Sequence, residues 1–273
     1  MRRERGRLRD GLVLVGLAAY ALPFFWQALT SLKPEAELMA LPPLLPSRLT
    51  GEHYGVVFEQ SVMLRAMVNS LGVGAITTVL ALTLGLGAAY AFARYAVPGR
   101  RFLLLLIVAG TAFPQIATVS PLYLLMRALE LRDTWLGLIL ANASFALPLV
   151  IWLLAGFLSE VPVQLEEAAA VDGAGRLRAF WWVILPLMAP GLASAALLTF
   201  LFSWNEFLFA YTFTATEASR TVPVALALFP GVFEVPWGDI AAASMLASLP
   251  PLVLVIALQR FLLRGLLAGA LRE

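Results

Sequence analysis

The chain has 273 residues, is 61% hydrophobic with a mean hydropathy of +0.86, and carries a formal net charge of only +2. It is far more apolar than a soluble domain, and its basic residues are scattered over loops, so nothing points to a nucleic-acid partner. It has no cysteine, which excludes disulfides, thiolate metal sites and cysteine nucleophiles and leaves the redox compartment undetermined.

Several apolar runs reach the about 20 residues that cross a bilayer as helix, so the chain reads as an all-α polytopic membrane protein embedded in lipid. Residues 1–10 place Arg2, Arg3, Arg5, Arg7 and Arg9 ahead of an apolar run over 11–32. A signal peptide has the same order, and Ala19-Tyr20-Ala21 offers a cleavage site. The run continues through Leu22-Pro23-Phe24-Phe25-Trp26, which favours an uncleaved first helix with a cytoplasmic amino end.

Residues 33–65 are polar, with Pro34, Pro42, Pro43 and Pro46, and read as an outer loop with one interfacial helix. The loop holds the only lysine and the only histidine, Lys33 and His53. Lys33 follows Thr30-Ser31-Leu32 and no glycine-rich loop, so the phosphate-binding Gly-x4-Gly-Lys-Ser/Thr motif is absent and any ATP must be bound by another chain. Metal or Ser/His/Asp chemistry would have to run through His53, and a lone histidine in a polar loop is expected at the surface. The chain is therefore read as a non-enzyme, with no catalytic, cofactor or metal residues of its own.

A second helix spans 66–93, and Gly74, Thr78, Ala81, Gly85 and Ala89 fall near one face. Such a row lets helices pack closely in lipid, or simply reflects how common small residues are in membrane helices. Arg94, Arg100 and Arg101 mark a short inner loop. A third helix over 102–126 should bend at Pro114 and Pro121. After a turn at 127–134, Trp135 opens a fourth helix that ends near Leu158 and suits an interface. A fifth rises from about Leu185, and a sixth runs from about Gly238 to Leu263, where Pro250 and Pro251 should interrupt regular helix bonding.

That layout gives six spans over 11–264, with cytoplasmic tails at 1–10 and 265–273. Cytoplasmic loops should be richer in Lys and Arg. The inner set is Arg2, Arg3, Arg5, Arg7, Arg9, Arg94, Arg100, Arg101, Arg176, Arg178, Arg260, Arg264 and Arg272; the outer set is Lys33, Arg48, Arg65, Arg127, Arg132 and Arg220, thirteen against six of the 19. The same count puts the polar stretch between the fourth and fifth helices, about 159–186, in the cytoplasm.

In that stretch Pro162 suits a first helical turn, Glu166, Glu167 and three alanines favour helix, and Gly173 and Gly175 end it. A helix of about ten residues is marginal alone in water and needs a surface. Composition by itself leaves two readings, a solvated connector or a docking element. The spacing says more: Glu167-Ala168-Ala169, three residues, Gly173, nine residues, Val183, one residue, then Leu185-Pro186 resembles the EAA loop of ABC importer permeases. Val183 stands where that family usually has Ile. The resemblance implies a cytoplasmic coupling-helix loop seated in a cleft of an ATPase subunit. Glu166, Glu167, Ala168, Ala169, Asp172, Gly173 and Ala174 would be its coupling residues. Glu167 would meet a basic group, Ala168 and Ala169 would form the contact face, and Gly173 would permit the turn.

Elsewhere, Glu206 in Ser203-Trp204-Asn205-Glu206-Phe207 is costly within a bilayer, and two readings stand: lining a wet cavity, or anchoring at the headgroups. Trp204 could stack on a sugar ring or belong to an aromatic belt. Trp204, Asn205 and Glu206 are thus the candidate substrate-path residues. Trp237-Gly238-Asp239 opens the sixth helix, with Asp239 favoured by the helix dipole.

Ser203-Trp204-Asn205-Glu206-Phe207, Trp237-Gly238-Asp239 with Ala241-Ala242-Ala243, and Gln259-Arg260-Phe261 with Arg264-Gly265-Leu266 and Ala268-Gly269-Ala270, resemble the sugar-importer branch, in particular its smaller maltose-transporter-type permease. The closing Leu271-Arg272-Glu273 departs from the Val-Lys-Gly frequent there, so tail contacts are less expected than loop contacts. The resemblance implies a multi-pass subunit of a prokaryotic plasma membrane, translocating a mono- or oligosaccharide of maltose or trehalose type. It also implies a companion permease, two ATPase subunits that bind ATP and Mg, and an extracytoplasmic sugar-binding protein. The alternatives are an importer permease for a non-sugar solute, a secondary transporter or channel, and an anchor without transport activity. A secondary transporter usually shows intramembrane ionisable groups or repeated broken helices, and here Glu206 is the single candidate with no clear internal repeat; an anchor has no use for the fixed loop spacing.

Overall fold

The computed structural model describes residues 2–38, 44–59, 61–229 and 235–270, with side chains placed from 10 to 261. Among them every regular element is helical. Four helices are long and apolar enough to cross a membrane, or six if each of two bent pairs is one span. The chain divides into two compact units, residues 1–64 with 225–249 and residues 65–224 with 250–273.

In the first unit, α1 (Arg2–Thr30) runs unbroken through Pro23, and none of its apolar window is buried. Short helices α2 (Glu35–Leu38) and α3 (Glu52–Glu59) follow, and the start of α14 (Trp237–Ala270) completes the unit. The histidine expected at the surface is 1% exposed. Its Nδ1 lies 2.7 Å from Asp239 Oδ1, and its Nε2 lies 2.9 Å from the Lys33 carbonyl. The reason is long-range: the ring lies against Gly238, where a Cβ would collide with it, so Trp237-Gly238-Asp239 forms a socket. Glu35 brings a third ligand-type atom within 4.8 Å of the other two. With both ring nitrogens engaged, the imidazole acts as a crosslink between α3, the Lys33 turn and α14. Asp239 therefore holds a side chain as well as sitting at a favourable helix end. Lys33 is fully buried, with Nζ 4.3 Å from the Trp26 ring centroid.

In the second unit, α4 (Ser61–Arg94), α7 (Trp135–Glu160) and α11 (Ala189–Asn205) share a core of Ala81, Ala89, Val150, Leu154, Leu158 and Ala195. The small-residue row of α4 is a packed face: Ala81 and Ala89 are fully buried, Val150 sits over Gly85 and Phe200 over Gly74. A second core joins Val73, Met126 of α6 (Gln115–Ala128), Leu138 and Ile139 to Phe209 and Phe213 of α12 (Leu208–Phe213). A short α13 (Val222–Ala227) follows.

The third and fifth expected helices differ from a simple rod. Helix α5 (Arg100–Ala109) runs into a 3-10 turn at Gly110–Ala112 and breaks before α6, bending the pair by 89°. Pro114, in extended backbone, causes the break because it disfavours helix at Phe113; Pro121 lies within α6 and does not interrupt it. The fifth element starts earlier than Leu185, at α9 (Arg176–Ala179). It passes through a π turn at Phe180–Ile184 and α10 (Leu185–Leu187), then bends by 73° into α11. Pro250 and Pro251 likewise sit inside a continuous α14 that extends past Leu263 to Ala270. Proline's fixed φ suits helix, so each costs a hydrogen bond without forcing an end. Leu271-Arg272-Glu273 lies outside the described residues.

Candidate functional site

Between α7 and α9 the chain forms α8 (Gln164–Val171), two residues later than Pro162 alone suggested. Its end is chemically explicit. Gly173 adopts φ +81, its N–H donates to Ala170 O at 3.1 Å, and Ala174 N–H donates to Ala169 O at 2.9 Å. This is the Schellman arrangement, and it needs a residue that tolerates left-handed backbone.

The two adjacent glutamates play different parts. Glu166 turns inward: Oε2 accepts from Tyr90 Oη at 2.8 Å, and Oε1 accepts a close hydrogen bond from Arg94 Nε. Arg94 also donates from Nη2 to Val161 O at 2.9 Å, so one guanidinium ties the end of α4 to the end of α7 and to α8. The Tyr90 ring meets Phe180 edge-on at 5.3 Å, fixing the segment beyond Gly175 to the same post. Glu167 is exposed, as are Ala168 and Asp172, while Ala169 and Ala174 are half-buried.

The outward side is apolar. Val171 is 87% exposed, Leu177 73% and Trp182 79%, with Val163, Leu165 and Trp181 also exposed. Gly173, Gly175, Arg176, Arg178, Trp181 and Trp182 line a shallow groove of about 590 Å³. A rigid eight-residue helix, clamped from behind and presenting aliphatic and indole side chains beside two guanidinium groups, has the anatomy of a macromolecular docking surface. Sequence reasoning placed Arg94 in a loop and assigned nothing to Tyr90 or Phe180. Their role depends on contacts across 76 and 72 residues, visible only in three dimensions.

The Ser203–Phe207 stretch is built differently. Trp204 is buried and stacked on Phe200 at 5.6 Å. Glu206 is 6% exposed and caps α12, accepting from Phe209 N–H at 2.7 Å and Ala210 N–H at 3.0 Å. Asn205 is exposed, and its Nδ2 donates to Leu201 O at 2.7 Å. Capping was not among the roles weighed for Glu206, although a carboxylate two residues before a helix is a legible signal.

Another carboxylate organises the turn after α6. Asp133, at φ 58, accepts from Ala215 N–H at 2.7 Å, Thr216 N–H at 3.0 Å, Thr216 Oγ1 at 2.7 Å and, more closely, Ser219 Oγ. Partial burial alone would raise its pKa, but these donors outweigh burial and hold the carboxyl down at about 2. Nearby, Asn69 Nδ2 donates to Arg220 O at 2.8 Å, and its Oδ1 accepts from Trp135 Nε1 at 3.2 Å. Trp135 is thus engaged within the chain.

Comparison with known proteins extends this picture. Residues 81–266 match the family described as binding-protein-dependent transport system inner membrane component. The trehalose transport system permease protein SugB of Mycobacterium tuberculosis is 45% identical, over 95% of this chain and 94% of that protein. The trehalose/maltose transport system permease protein MalG of Thermococcus litoralis is 34% identical, over 97% and 98%. A chain in the crystal structure of a bacterial ABC transporter that imports the acidic polysaccharide alginate superposes with a TM-score of 0.82, at 23% identity and over 95% and 97% of the two chains.

Proposed function

The chain belongs to the family of binding-protein-dependent inner-membrane transport components, and from that premise we propose that it is the sugar-translocating permease of an ATP-driven importer. The observation that carries this is the α8 loop, whose Glu-Ala-Ala and Gly173 spacing coincides with a clamped helix and an exposed apolar face. Its cargo is a mono- or oligosaccharide of the trehalose or maltose kind, a reading supported by the names of the two relatives above. A secondary transporter has no use for such a surface.

Mechanically, ATP and Mg bind to a pair of partner ATPase subunits, and closure of that pair moves α8. Glu167, Ala168 and Asp172 make the contact, Gly173 with Ala174 fixes the turn, and Glu166 passes the movement through Arg94 to the ends of α4 and α7. Ala169 packs behind. In the membrane each bent pair serves as one span, giving six with both termini in the cytoplasm. A companion permease covers the face of α1 that this chain leaves bare, and an extracytoplasmic sugar-binding protein delivers the cargo. Trp204, Asn205 and Glu206 border the path, with Asn205 offering its exposed amide and the other two holding it in place.

The test is co-purification of the four components, followed by binding-protein-stimulated ATP hydrolysis with a panel of sugars. Stimulation by trehalose or maltose is expected. A chain that never associates with an ATPase subunit would contradict the proposal.

A further inference from the structure

The break between α5 and α6 interrupts helical hydrogen bonding inside an apolar pair of segments. In a bilayer such backbone is tolerated only when protein covers it or when it lines a wet cavity. A cavity of about 260 Å³ lies at the break, lined by Thr111 and Gln115 on its two sides, Phe145 of α7, and Thr199 and Phe202 of α11. The remaining lining is aliphatic, and none of it is charged.

Two polar groups there have no partner among the described residues. Helical threonines of this protein commonly donate to the carbonyl four residues back, as Thr78, Thr83 and Thr212 do. Thr199 is 3% exposed, lines the cavity, and makes no such bond; Gln115's side-chain amide is also without a partner among the described residues. Thr199 is buried and Gln115 half-buried; buried polar groups are nearly always satisfied, so an unpartnered hydroxyl and amide lining one cavity point to a ligand or water that satisfies them. One helical turn along α7 and α11, Asn142 Nδ2 donates to Ser203 Oγ at 2.9 Å, while buried Asn142 Oδ1 has no partner. The polar column continues beyond the cavity.

We propose that this cavity is a passage subsite for one uncharged sugar ring. The aromatic faces of Phe145 and Phe202 take the apolar C–H faces of the ring, and Gln115 and Thr199 exchange hydrogen bonds with its hydroxyls. A mostly apolar hollow with a few convergent polar groups is the usual composition of a small-ligand site, and the volume, just under the usual range of about 300–1,000 Å³, admits a single ring. Absence of a lining cation selects against uronates, because a carboxylate moved there would lose its hydration without a counter-charge. The inference rests on the sugar-importer reading above.

The test uses the assembled complex in proteoliposomes. A diazirine derivative of trehalose, photolysed during turnover, should label peptides containing Thr111, Gln115 or Thr199. Labelling confined to other segments would overturn the subsite. Gln115→Leu should lower trehalose uptake about ten-fold, with Gln115→Asn between it and wild type, the loss expected for a directional hydrogen bond. Wild-type uptake by Gln115→Leu, or by Phe202→Ala, would also overturn it. Equal uptake of a neutral and a uronate disaccharide would refute the selectivity. If the wild-type complex transports no sugar at all, the sugar reading itself fails and the subsite falls with it, an outcome distinct from mislocated labelling.

Discussion

The turn at Asp133 and the loop at α8 are each organised by one carboxylate, yet they end in opposite surfaces. Asp133 gathers donors from one short segment, Ala215 to Ser219, all neutral, and closes two loops onto each other. Glu166 instead reaches a tyrosine and an arginine on a long helix, and the residues following it leave Val171, Leu177 and Trp182 uncovered. Where polar and apolar groups are both satisfied internally, a loop is scaffold. Where the carboxylate is satisfied internally but the apolar side chains are not, the loop is anchored and still presents an apolar face, which is what the proposed lever needs.

Four substitutions sharpen that contrast, beginning with the largest effect on transport. Gly173→Val places a β-branched residue in left-handed backbone, a cost of about 1–2 kcal/mol concentrated at the lever. Sugar uptake should fall about ten-fold while the chain still inserts, measured by transport against membrane-fraction yield. Arg94→Leu leaves the Glu166 carboxylate half-buried without its counter-charge, held only by Tyr90. It should destabilise by roughly 1–3 kcal/mol, and Arg94→Leu with Glu166→Leu should recover part of this in a thermal-melt double-mutant cycle.

Asp133→Asn should have a smaller effect on stability near neutrality, about 1 kcal/mol, with its signature in acid. The folded carboxyl titrates near 2 against 3.8 when free. Its contribution is therefore complete above about pH 4 and lost as pH falls toward 2. The melting temperature of the wild type should decline more steeply across that window than that of the variant. Trp182→Ser should leave the melt unchanged, since the ring is 79% exposed, yet weaken ATPase co-purification. A stability loss there would break the comparison by showing that the face is internal scaffold.

Much of the α8 loop was legible because its information is local: helix formers, a terminating glycine and a fixed spacing. The small-residue row of α4 was visible as one periodicity, but that it is a packed face rather than the ordinary composition of a membrane helix took the neighbours of Gly74 and Gly85 to decide. Long-range partners were not. His53 looks like a surface histidine until Asp239, 186 residues away, is brought to it, and Glu166 looks as available as Glu167 until Arg94 is placed behind it. Prolines were a partial guide. The bend expected at Pro114 is there, whereas Pro121, Pro250 and Pro251 are carried within helices, because proline's fixed φ suits a helix and the break needs the residue before it to leave helical backbone, as Phe113 does.

Because the chain has no cysteine, a single introduced thiol reports one position cleanly. With Val171→Cys on the exposed side of α8 and Ala179→Cys on a buried position as reference, maleimide labelling should modify the first and spare the second in the isolated permease. Assembly with the ATPase subunits should then protect Val171→Cys. Equal labelling of Val171→Cys in the isolated and assembled permease would contradict the assignment of α8 as the surface through which this protein is driven.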